Sequence, residues 1–184
     1  MIEFCGGVDV GGTKIASALF TADGALTAKA KVPVDASGGD RAAAQVAGSV
    51  RRLGEAAAAA GGRLRAVGVC VPGIVYAATG RVWAPNIPGW DEYPLLARLE
   101  EASKRGQIPS VHVPVVLESD RSAYVMGEAW RGAAAGAADA VFLAVGSGIG
   151  AGILAGGRLV HGRDDIAGAV GWFGLNPDFR PEYA

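Results

Sequence analysis

The heptad Val8-Asp9-Val10-Gly11-Gly12-Thr13-Lys14 runs a short apolar strand into an acid, two glycines and a hydroxyl. A carboxylate at a strand end can hold hydrated Mg²⁺, a Gly-Gly bend exposes backbone N–H groups, and the Thr13 hydroxyl can reach phosphate oxygens. The same residues would also make a plain hairpin turn. Further on, the run 139–145, apolar after its opening Asp139, feeds Gly146-Ser147-Gly148-Ile149-Gly150-Ala151-Gly152. This fits the loose dinucleotide pattern G-x-G-x-x-G/A, with Asp164 and Asp165 at about the expected distance beyond it. That fingerprint must open a helix, whereas Ile153-Leu154-Ala155 pass through Gly156-Gly157 into Arg158-Leu159-Val160, which reads as a hairpin. A Walker A loop is excluded because no Lys-Ser or Lys-Thr pair follows. What remains is a second Gly/Ser bend, chemically a repeat of the first.

Asp120 lies at the carboxyl end of a predicted strand, 114–118, just before a predicted helix, 121–131. Strand carboxyl ends line the ligand crevice of open α/β sheets, so a carboxylate here is placed for chemistry. Helix capping is the competing role for Ser119 and Asp120. The loop Ala84-Pro85-Asn86-Ile87-Pro88-Gly89-Trp90 could meet a sugar, since Asn donates and accepts hydrogen bonds and an indole packs on C–H faces. Alternatively its tryptophan plugs the core. His112 and His161 are singletons, and His161 reads as a loop residue.

The elements that must position these residues follow from periodicity. Residues 4–10, 14–20 and 25–32 predict a three-stranded meander with an Asp23-Gly24 turn. Ala43, Val46, Val50, Leu53 and Ala57 recur at helical spacing, predicting a helix over 40–60 with Asp40 as N-cap and Gly61-Gly62 as its stop. The run 64–71 reads as a strand covered on both faces, and 139–145 as another buried strand. A hairpin over 74–83 turning at Thr79-Gly80 and a helix over 93–104 complete the series. Strand, helix, strand implies an α/β crossover fold.

At 184 residues, 51% apolar and 19% charged, the chain can bury a core in one domain or two small ones. A net charge of −1 without a basic run gives no electrostatic footprint for nucleic acid or a membrane surface. The uncharged stretch 140–157 holds six glycines, which oppose a spanning helix. Cys5 and Cys70 sit in strand-like segments and read as buried thiols of a cytoplasmic protein, with no disulfide framework and no zinc cluster. The N-terminus has no secretory pattern.

Taken as an ordered set, Asp9 to Lys14, Val71-Pro72-Gly73, Ala84-Pro85-Asn86 with Gly89-Trp90, Asp120 with Gly127-Glu128, Gly146 to Gly150, and His161-Gly162 to Ala167-Gly168 resemble the ROK family of sugar kinases and repressors. That family lies within the actin/hexokinase-like ATPase superfamily. The resemblance implies α/β actin-like ATPase (ribonuclease H-like) lobes: an N-terminal lobe over 1–117 and a partial second lobe over 118–184, with the chain truncated in the second lobe. It implies an ATP-dependent kinase for a hexose or amino sugar, glucokinase-like, with Mg²⁺ and ATP as cofactors and a homodimer as the assembly. The alternative is a catalytically weak or inactive sugar-binding or regulatory protein.

The resemblance also assigns roles. Asp9, Gly11, Gly12, Thr13 and Lys14 lie at one phosphate loop, with Asp9 holding Mg²⁺, possibly through water. Gly146, Ser147 and Gly148 lie at the other, Ser147 replacing the usual threonine. Gly73, Asn86, Ser119, Asp120 and Trp172 face the sugar, and Asp120 is the catalytic base. Three departures stand out. The family's Ala-Gly-Glu-x-Gly-His is here Ala167-Gly168-Ala169-Val170-Gly171-Trp172, the Asn before the catalytic acid is Ser119, and the C-x-C-G-x-x-G-C zinc motif is absent, so no zinc is expected. The family's DNA-binding helix-turn-helix precedes its first strand, where this sequence starts, so DNA binding is not expected.

Overall fold

In β1 (Ile2–Val10) every second residue, Phe4, Gly6, Val8 and Val10, is buried, so a single face of the strand is committed to the core. The computed structural model describes residues 1–108, 113–146 and 148–173. They divide into two compact units, Met1–Asp120 and Arg121–Ala184.

In the first unit, β2 (Lys14–Thr21) and β3 (Leu26–Pro33) continue β1 as an antiparallel meander. Gly24 turns it with φ +81°. The helix α1 (Gly39–Ala59) then crosses over, and β4 (Gly62–Val71) returns parallel to β1. A small hairpin of β5 (Ile74–Tyr76) and β6 (Arg81–Trp83) and the helix α2 (Leu95–Lys104) lead to β7 (Val115–Ser119), parallel to β4. The sheet order β3-β2-β1-β4-β7 therefore puts three parallel carboxyl ends side by side.

The helix α1 lies on the sheet through Ala43, Val46, Val50, Leu53 and Ala57, the positions that its periodicity marked. Burying each of the larger side chains contributes about 1.5–3 kcal/mol. Gly6 exists for this packing, since a methyl group there would sit 2.8 Å from Leu53 Cδ1. The helix begins earlier than expected: Gly38 is the N-cap, at φ 62°, and Asp40 sits in the first turn. Pro88 explains the shift. Its carbonyl accepts the Gly39 N–H at 2.8 Å and approaches so closely that a side chain on Gly38 would lie 2.0 Å away. The second helix starts two residues later than expected. Tyr93 pairs with Val82 in an isolated bridge, and a residue before proline avoids the helical region.

The expectation that 64–71 is covered on both faces is corrected. Arg63, Arg65 and Gly68 on β4 and Cys5 on β1 are exposed, so Cys5 is not a buried thiol. Small residues on the open face (Ala66, Gly68) imitate a doubly buried strand because they read as apolar without needing cover.

In the second unit, α3 (Asp120–Arg131), whose first residue belongs to the preceding unit, is followed by an antiparallel sheet. Its strands are β8 (Ala140–Val145), β9 (Ile149–Ala155) and β10 (Arg158–Leu159), in the order β10-β9-β8. Here too burial is one-sided: Val141, Leu143 and Val145 are 68%, 58% and 72% exposed, correcting the expectation of a buried strand. Among the described residues, the buried apolar side chains of this unit are Val125, Ala151 and Leu154, against the large cluster of the first. Among the described residues, no helix is long and apolar enough to cross a membrane.

Candidate active site

The parallel register sets Asp9 opposite Cys70 and Cys70 opposite Glu118, at the carboxyl ends of β1, β4 and β7. Residues paired this way share a face of the sheet. Cys70 donates its S–H to Asp9 Oδ1 at 3.5 Å. Burial, then the Asp9 carboxylate, then that of Asp120, push its thiol far above the ordinary range, so it stays protonated. Asp120, one residue beyond β7 and in the first turn of α3, thus acts on the same thiol as Asp9. Neither Cys70 nor Glu118 is singled out by sequence reasoning. The signal was available in the strand alternation that puts Glu118 and Asp120 two residues apart, but only the parallel register reveals the third member.

Ser119 is turned the other way. It is 4% exposed and pairs in register with the fully buried Val71. Its backbone N–H donates to Glu118 Oε1 at 2.8 Å.

The first glycine bend is tight: the Gly11 N–H closes onto the Lys14 carbonyl at 2.8 Å, leaving Gly12, Thr13 and Lys14 exposed at the corner. Against this corner lies the loop 84–90. A methyl group on Gly12 would come within 3.1 Å of Asn86 Cβ and 3.1 Å of its carbonyl oxygen, so residues expected at a phosphate and at a sugar are neighbours. Gly73 seats the root of the same loop, since a side chain there would lie 2.0 Å from the Trp83 carbonyl oxygen. Ala84, Ile87 and Trp90 are buried while Asn86 is exposed. Trp90, 1% exposed, stacks on Tyr93 with ring centroids 5.4 Å apart and fills the core, which decides between its two readings.

In the second unit, β8 and β9 form a hairpin with Val145 opposite Ile149, so the second glycine run opens no helix and the dinucleotide fingerprint fails on its own requirement. Its glycines divide in two. Gly150 and Gly152 are packing residues: a methyl group on Gly152 would lie 2.0 Å from the Arg121 carbonyl oxygen. Around Gly146 and Gly148, no described atom lies within 4 Å of where a side chain would start, and the Gly146 N–H closes the bend onto the Gly148 carbonyl at 2.9 Å. Ser147, expected between them, falls outside the described residues, as does His112. Trp172 lies in a short 3-10 turn (Val170–Trp172) and is 75% exposed.

Asp9 supplies a carboxylate, and Gly12 and Thr13 an exposed corner, which suits a cation held by one carboxylate, water and phosphate rather than by a protein cage. Among the described residues, no group of three His, Cys, Asp or Glu side chains could hold a metal by itself.

Compared with known protein families, residues 5–181 match the ROK family. The chain belongs to the ROK family. It is 32% identical over 174 residues to the glucokinase of Halalkalibacterium halodurans, covering 94% of this chain and 50% of that one. Among solved structures it resembles the ROK hexokinase of Thermus thermophilus, with TM-score 0.79 and 35% identity over 95% of this chain and 54% of that one. It also resembles the ROK glucokinase of Streptomyces griseus in complex with glucose and AMPPNP, with TM-score 0.76 and 32% identity over 95% and 52%. The mixed α/β architecture of actin-like ATPases is thereby shown. This ROK chain spans about half the length of the curated relatives it matches.

Proposed function

We propose that this chain carries the phosphoryl-transfer site of an ATP-dependent sugar kinase acting on a hexose or amino sugar, with Asp120 as general base. The observation that carries the reading is the parallel register that sets Asp9, Cys70 and Glu118 side by side at adjacent strand ends, with Asp120 one residue beyond β7 and Asn86 pressed against Gly12, in a ROK chain. Relatives named glucokinase, and one solved with glucose and AMPPNP, support the same substrates.

Phosphoryl transfer asks little covalent chemistry of a protein beyond positioning, charge neutralisation and a proton acceptor. Asn86 and Gly73 orient the sugar, and Asp120 accepts the proton of the attacking hydroxyl. Gly11, Gly12, Thr13 and Lys14 contact phosphate oxygens, and Gly146, Ser147 and Gly148 provide a second such bend. Asp9 would hold Mg²⁺, which when bound would offset charge on the phosphates. Residues 1–117 serve as the N-terminal lobe and 118–184 as part of a second. A cytoplasmic homodimer is the assembly, which analytical ultracentrifugation would test.

An ADP-release assay over hexoses and N-acetylhexosamines, beside an Asp120→Asn control, tests the activity. Sugar-dependent turnover lost in the control supports it. Sugar binding without turnover supports instead a regulatory or weakly catalytic protein. That reading is favoured by Ala169, which offers no side-chain hydrogen bond where the family has glutamate, and by Trp172, which replaces an imidazole.

A further inference from the structure

The loop 84–90 and the first glycine bend share one mount, the start of α1. Gly39 donates its N–H to the Pro88 carbonyl at 2.8 Å and accepts the Trp90 indole N–H at 3.1 Å. Gly89 lies against Gly39, where a side chain would be 3.5 Å from the Gly39 Cα. The bend is tied to the same helix by a longer route. The Val34 N–H donates to the Thr13 carbonyl at 3.0 Å, and Gln45 of α1 brackets Val34, its Nε2 donating to the Pro33 carbonyl at 3.0 Å and its Oε1 accepting the Asp35 N–H at 2.8 Å. Where the two loops meet, the gap at Gly12 admits no methyl group unless Asn86 shifts by a few tenths of an ångström.

We propose that Trp90 and Gly12 are positioning residues that couple the two substrates: through this contact, a phosphate group ordering the Gly12-Thr13 corner fixes Asn86, so that nucleotide tightens sugar binding. The inference rests on the kinase reading above. The physical basis is that the two loops touch at backbone distance, so a ligand that selects one position of the bend favours one position of its neighbour. Linkage makes the effect reciprocal, with sugar tightening nucleotide by the same factor. Glycine at 12 is what lets the loops touch at backbone distance. Trp90 acts at one remove, by pinning the loop that carries Asn86.

Calorimetric titration of the full chain with glucose, with and without saturating AMPPNP and MgCl₂, measures the coupling. In the unaltered chain AMPPNP is expected to tighten glucose binding about fivefold or more, the lower end of common coupling factors. Trp90→Phe keeps the ring packing and removes the indole donor. It should bring the factor to within about twofold of one while leaving the AMPPNP affinity measured without sugar unchanged. Gly12→Ala should also reduce the factor, by displacing Asn86. Leu19→Ala, a core truncation five residues down β2 from Lys14, should lower stability and keep the factor, which separates positioning from general loosening. Full coupling in Trp90→Phe and Gly12→Ala, or a factor of one in the unaltered chain that binds both ligands, would overturn the inference while leaving the kinase reading intact. Binding of neither ligand would overturn both.

Discussion

Among individual side chains, Asp120 and Cys70 share an environment and differ in what it does for them. Asp120 begins a helix at a strand end, a position where it could have been a mere cap, yet its charge reaches Cys70 beside Asp9. Asp120→Asn keeps the size and the helix start but removes the proton acceptor, and it should lower turnover by about 10²- to 10⁴-fold with nucleotide affinity nearly unchanged. Steady-state kinetics beside nucleotide titration checks both halves. Cys70 yields an opposite expectation to Cys5. Because burial and two carboxylates raise its pKa, the thiolate fraction at neutral pH is smaller than that of an ordinary cysteine. With iodoacetamide, peptide mass mapping should find the exposed Cys5 alkylated first and Cys70 only after unfolding. The positions of Asp9 and Asp120 at strand ends were legible in the sequence because an acid that closes an apolar run leaves a pattern. Cys70 and Glu118 were not, because membership of a site through parallel register leaves no trace in local spacing.

Glycines do most to separate structure from chemistry among the elements. Gly152 lets α3 and β9 approach to backbone distance. Gly152→Ala should therefore destabilise the second unit severely, by about 3 kcal/mol or more, comparable to the cost of overpacking a core. Gly148→Ala, which meets no described atom, should change stability by less than about 1 kcal/mol. Urea denaturation of both variants checks the contrast. In the meander, Leu19 is fully buried, and Leu19→Ala should cost about 2–5 kcal/mol in the same measurement. The strands and the crossover helix were readable because periods of two and near four survive without tertiary context. Helix starts were not. Gly38 rather than Asp40 begins α1 because Pro88, fifty residues away in the chain, claims the Gly39 amide, and no local signal announces a distant carbonyl.

Across the molecule, the two units differ in how much apolar surface they hide. The first carries nearly all of the buried cluster, so amides of β1, β4 and α1 should exchange with deuterium far more slowly than those of β8 and β9. The first unit also has a limit in alkali. Tyr93, buried and donating its hydroxyl to Asp40, has a pKa raised to about 12. The unfolded chain sheds that proton near its ordinary value of 10. The fold binds the proton more tightly, so this contribution is fully present below pH about 10 and is lost as pH climbs through about 12. Thermal melts of Tyr93→Phe should show a shallower decline over that window. Fold class was legible from strand, helix and strand alone. One-sided burial was not, because Val, Leu and Phe in β8 look alike whether they face protein or water.

That bare flank of β8, where Val141, Leu143 and Val145 stand in solvent, has a practical consequence. A fluorescent dye such as ANS should brighten on the native chain without any denaturant, and added sulfate should salt the protein out early. Handling it will call for low protein concentrations and mild detergent.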